Sequence, residues 1–211
     1  MAQEEGRVLP QVKAENLYPL PIRRVVRSAT LDDRERLLEK GKETYEGFLS
    51  SGDKEYILRF VKQELDRKPQ RDDGLHDLIA FLGEQMMNMN ARKHEEVQGF
   101  LSWLERSIGT KVDNLNNKTR IRAYHENDLQ ALLSILRTNQ RRLGAGVNVS
   151  GRNFQEELER EFTASMQKLE PLKANIEATD NLIDEIVFRL YGLTDEEISL
   201  VKGQSDPESA G

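Results

Sequence analysis

The chain contains no cysteine. That one absence excludes disulfides, zinc–thiolate centres and a cysteine nucleophile, and it fits a reducing, cytoplasmic setting. Histidine is scarce. His76, His94 and His125 lie far apart in sequence and show none of the spacings by which imidazoles share a metal. The apolar runs are only a few residues long, too short to span a membrane. The opening MAQEEGRVLP has no basic stretch followed by an apolar one, so it does not read as a signal peptide. No phosphate loop is present, because Gly144-Ala145-Gly146 is followed by Val147-Asn148-Val149 rather than by a lysine heading a helix. Nucleophile-elbow and His-Glu-x-x-His patterns are also missing. The expectation is a chain that is not an enzyme by itself and that takes no cofactor and no metal.

What is present is charge and periodicity. Charged residues make up 32% and hydrophobic residues 37% of the 211. Long helices with one apolar stripe produce that balance. Leu75, Leu78, Leu82, Met86, Met89, Lys93, Val97, Phe100, Leu104 and Ile108 step by three or four residues, with Lys93 the single interruption. That predicts one helix of about 35 residues, about 50 Å long, ended by Gly109. A second series runs from Phe154 through Leu158, Phe162, Met166, Leu169, Leu172, Ile176, Ile183 and Val187 to Leu190. Pro171 falls inside it and predicts a kink near 167–171.

The predicted fold is mainly α: two long amphipathic helices packed as an antiparallel, coiled-coil-like pair, with shorter helices and an extended N-terminal segment. Residues 1–30, with Pro10, Pro19 and Pro21, read as that segment, with a short strand near Arg23–Val26. Residues 31–202 form the helical domain, and 203–211 a flexible tail. Thr30 caps a helix to about Ser50, and a second short helix covers 53–65. A polar loop follows at 68–74. Residues 110–125 form an Asn-rich connection, 126–143 a helix and 144–151 a loop. Thr194 and Glu197 form a capping box for a last short helix.

The net charge of −6 gives no global attraction for nucleic acid. Locally the balance reverses. Lys118, Arg120, Arg122, Arg137, Arg141 and Arg142 are six basic residues in a span holding only Glu126 and Asp128 as acids. Phosphate contacts require such a patch, although Arg141 and Arg142 would also compensate a helix C-terminus. Arg23, Arg24 and Arg27 form a smaller group. Carboxylate pairs such as Asp184 and Glu185 usually lie on solvated helix faces, but these two adjoin the apolar stripe and could meet a partner.

The run Leu182-Ile183-Asp184-Glu185-Ile186-Val187-Phe188-Arg189-Leu190-Tyr191-Gly192-Leu193-Thr194-Asp195-Glu196-Glu197-Ile198 resembles the C-terminal motif of adenine-specific DNA methyltransferases of restriction–modification systems. These are the type IIG class and relatives in phage-defence islands, where a long helix ends in IDEIVYxLYGLTEEEI. The stretches 75–82 and 100–105 are similar to the helical tails of the same enzymes, and 17–22 resembles the segment that leads from their target-recognition region into that tail. Their catalytic Asn-Pro-Pro-Tyr motif is absent here. The resemblance implies a non-catalytic helical module that packs on a methyltransferase or restriction subunit or domain and contacts the backbone of double-stranded DNA. Asp184, Glu185, Phe188 and Tyr191 would then face the protein partner, and the six cations would face DNA. The alternative is a structural coiled-coil protein that forms a homodimer or scaffolds a partner through the long stripes.

Overall fold

A computed structural model of the chain describes residues 29–67 and 72–202. The extended N-terminal segment apart from Ala29 and Thr30, the strand near 23–26, the Arg23/Arg24/Arg27 group, residues 68–71 of the polar loop and the tail lie outside the described residues. Among the described residues the structure is helical, with no strand. The helices are α1 (Leu31–Ser51), α2 (Glu55–Leu65), α3 (Asp72–Ile108), α4 (Lys118–Arg122), α5 (Leu129–Thr138), α6 (Arg152–Tyr191) and α7 (Asp195–Val201). Single 3-10 turns at Val112–Asn114, Tyr124–Glu126 and Gln140–Arg142 fill the connections.

The 37-residue α3 and the 40-residue α6 are the antiparallel pair that the two stripes require. Leu104 and Ile108 at the end of α3 share a core with Leu158 and Phe162 at the start of α6. Leu75, Leu78 and Leu82 at the start of α3 share a second core with Leu182 and Ile186 near the end of α6. One spine thus carries two cores, one at each end. At one end α1 and α2 close the second core with Leu37, Tyr45, Phe48, Ile57, Phe60 and Val61. At the other, the connection and α5 close the first with Val112, Leu115, Ile121, Tyr124, Leu132 and Leu136.

α1 crosses α3 closely because glycines leave notches. A Cβ on Gly41 would sit 2.8 Å from a methyl of Leu78, and one on Gly74 would sit 2.9 Å from a methyl of Leu37. Arg34 on α1 pairs with both oxygens of Asp77 on α3 at 2.7 and 2.6 Å. Donation to Asp77, with the Coulomb attraction of that carboxylate, raises the Arg34 pKa.

The helix ends follow local chemistry. The Thr30 side chain accepts from Asp33 N–H, and Thr194 and Glu197 make the reciprocal capping box. Gly52, Gly109 and Gly192 stand at φ +74°, +66° and +65° just beyond three helices, where glycine avoids the Cβ penalty.

Two boundaries differ from the sequence reading. α3 begins at Asp72, inside the expected polar loop. The expected 126–143 helix is confined to 129–138, because Asp128 caps its start, accepting from Ala131 N–H, and a 3-10 turn follows Asn139. α6 runs through Pro171 as one helix, as its stripe predicts. The carbonyl that proline leaves without a donor is that of Gln167, an exposed residue that water can reach.

Candidate nucleic-acid interface

The cations singled out in the sequence sit on the cap formed by residues 110–151 at the α3/α6 turn. Buried apolar side chains pin this cap to the spine. Val112, Leu115, Ile121 and Tyr124 are all 4% exposed or less. Phe100 stacks on Tyr124 at 4.0 Å between centroids, and Phe162 meets both rings edge-on. The Tyr124 hydroxyl bonds Ser165 Oγ at 2.6 Å. Burial, only partly offset by that bond, pushes the phenol up to about 12.

Side-chain amides then join the two basic segments. Asn139 is 1% exposed. Its Oδ1 accepts from Asn116 N–H at 2.8 Å, and its Nδ2 donates to the carbonyls of Asn116 and Ile135. Arg142 donates to the Asn114 carbonyl at 3.0 Å. These bonds hold the segment before α4 against the end of α5, although 23 residues separate Asn116 from Asn139. Gln140 performs the same task for the loop, donating to Val147 O and accepting from Val149 N–H. Gly109 and Gly144 let the loop close: Gly144 N–H bonds Ile108 O at 2.8 Å, and a Cβ on either glycine would come within 3.1 Å of the other's Cα.

All six cations are exposed, but they are not equivalent. Lys118 and Arg122, one turn apart on α4, converge on the Asp113 carboxylate at 3.6 and 2.6 Å. Arg120 donates to Asn127 Oδ1 at 3.3 Å. Arg142 is tied to Asn114 as above. The side chains of Arg137 and Arg141 have no bonded partner among the described residues. The arrangement is a mixed set of fixed and free cations on one rigid end of the bundle. No group of three or more His, Asp and Glu among the described residues could hold a metal.

Sequence reasoning missed the neighbouring polar cluster. His125 is 8% exposed, and its Nδ1 has no hydrogen-bond partner among the described residues. Burial lowers its pKa first, and the charges of Lys93 and Lys173 lower it further against an opposing effect of Glu126. Lys173 also donates to the His125 carbonyl at 3.1 Å. The signal was visible as Lys93, the one charge in the α3 stripe.

The four residues expected to face a protein partner lie at the opposite end of the spine and differ in exposure. Asp184 is exposed, and Tyr191 is 42% exposed. Glu185 is half-buried between Lys54 and Arg189. Burial pushes its pKa up, but those two cations outweigh it and the net direction is down. Phe188 is only 7% exposed, and the Lys202 ammonium stands over its ring at 5.7 Å, so it packs inside the chain. Leu200 and Val201 on α7 are exposed apolar side chains near the same end.

A family model described as a domain of unknown function, DUF8810, matches residues 76–187, just over half of the chain. The chain belongs to the DUF8810 family. The DUF8810 match begins in the first turns of α3 and ends near the close of α6, so it covers the spine and the whole basic cap and leaves out α1, α2 and α7. No curated protein and no solved structure matches the chain.

Proposed function

We propose that the chain is a non-catalytic helical module of a restriction–modification or phage-defence DNA methyltransferase system, with its basic cap laid on the DNA backbone. The observation that carries the DNA part is the gathering of six exposed cations from α4 and the end of α5 onto one end of the spine. The methyltransferase part rests on the resemblance of residues 182–198. Phosphate contacts position a protein on a duplex without reading its sequence, and a surface of lysine and arginine suits that task. The far end, with Asp184, Tyr191, Leu200 and Val201 exposed, would pack on the catalytic or target-recognition part. Spine length separates the two functions by about 50 Å.

The test is duplex binding by the full chain as salt is raised. Binding should weaken steeply, and Arg120→Glu with Arg122→Glu should weaken it further at every sequence tried. Absence of salt-sensitive binding, together with no effect of the two reversals in the assembled system, would refute the DNA role. For the alternative, dimerisation through the long stripes, the relevant fact is that much of both stripes is buried within the chain.

A further inference from the structure

Lys118 and Arg122 lie one helical turn apart, so their side chains leave α4 on the same side. Both reach the carboxylate of Asp113, whose side chain remains 60% exposed. The backbone that presents this carboxylate is fixed. Val112 is 3% exposed, and its N–H donates to Glu105 at 3.0 Å. The Asn114 carbonyl accepts from Arg142, and Leu115 is 4% exposed. Asp113 is therefore held in front of the two cations by its neighbours. A carboxylate and a phosphodiester present the same chemistry to a guanidinium and an ammonium: charged oxygens about as far apart as the donors that bind them.

We infer that Lys118 and Arg122 form the seat of one backbone phosphate, and that Asp113 occupies this seat in the free protein as an internal competitor. This inference rests on the reading of the cap as a DNA-backbone surface. Arg137 and Arg141, which carry no such competitor, make the first contact. A phosphate then takes the α4 seat only by displacing Asp113. The affinity of the cap is thereby held below what its charge alone would give.

The experiment compares a labelled duplex bound by the full-length wild type, Asp113→Asn and Glu126→Gln over a fourfold range of salt. Glu126 is an exposed acid of the same cap, so its variant makes the same change in net charge without touching the seat. Asp113→Asn should bind more tightly than Glu126→Gln. To the extent that Asp113 keeps the seat in wild type, the slope of log affinity against log salt should steepen, by up to about 0.9 for one phosphate, so fourfold salt costs Asp113→Asn up to about 3.5-fold more affinity than it costs the control. That advantage should vanish when Lys118→Gln and Arg122→Gln are added. If Asp113→Asn matches Glu126→Gln, or binds more weakly than wild type, the competitor role is wrong. Salt-sensitive binding by the wild type would still leave the backbone reading standing. If neither wild type nor Asp113→Asn binds duplex, both fall together.

Discussion

The Tyr124 hydroxyl and Ser165 Oγ meet at 2.6 Å in the core that joins the cap to α6. Four turns further along α6, Tyr45 and Thr179 meet at 2.8 Å and join α1 to the same helix. The Thr179 hydroxyl already donates to the Asn175 carbonyl, so Tyr45 must donate to it. Each end of the spine is therefore latched by one buried phenol. Ser165→Ala should destabilise the chain by about 1–3 kcal/mol in urea unfolding, because it leaves the Tyr124 hydroxyl buried without a partner. Adding Tyr124→Phe should recover part of that loss. Equal losses for the single and double variants would contradict the latch.

Tyr124 also predicts an alkaline limit. Its folded pKa, about 12, lies above the ordinary tyrosine value of 10. The neutral phenol is favoured in the fold, so this stability is complete below pH 10 and is lost as pH rises from 10 towards 12. Tyr124→Phe should flatten that part of the stability profile. An unchanged profile would show that Tyr124 does not control it.

His125 predicts a change on the acid side. Its folded pKa is depressed below 6.5 by burial and then by Lys93 and Lys173. The unfolded chain therefore takes up the proton first. Stability is complete above pH 6.5 and falls as pH drops below it towards the lower folded value. Lys93→Met removes one of the opposing charges and should move the His125 titration, followed by its ring NMR signals, back upward. A titration that stays in place would mean that Lys93 does not face it.

Gly109→Ala and Gly144→Ala should both loosen the cap. The first places a Cβ at φ +66° and both bring it within 3.1 Å of the opposing backbone. The αL strain alone costs about 1–2 kcal/mol. Amide exchange should rise in residues 110–151 before it rises in α1. A uniform change along the chain would argue against a locally anchored cap.

Much of the fold was legible in the sequence because long helices advertise themselves. The stripes from Leu75 to Ile108 and from Phe154 to Leu190, the Thr30 and Thr194 caps and the glycines at 109 and 192 all act through neighbours within a few residues. The cap was not legible, and its physics explains why. Val112, Leu115, Ile121 and Tyr124 follow no single period, since two 3-10 turns and a left-handed Asn117 at φ 59° lie among them. The bond between Asn116 and Asn139 depends on a fold that brings distant residues together. The six cations were visible as a charge excess, but Asp113 lies just outside the span in which that excess is counted. Its engagement with Lys118 and Arg122 appears only in three dimensions. Phe188 shows the converse: its place in the motif suggested a partner face, yet α7 folds back so that Lys202 covers its ring.

The central claim is that the cap binds DNA backbone through its cations. The most direct measurement is the slope of log affinity against log salt for a duplex, taken for wild type and for Arg137→Gln with Arg141→Gln. The account predicts a straight line of negative slope that becomes shallower by about 0.9 for each phosphate contact the double variant loses, with the same change on unrelated duplex sequences. An affinity insensitive to salt, or a double variant with an unchanged slope, would contradict it.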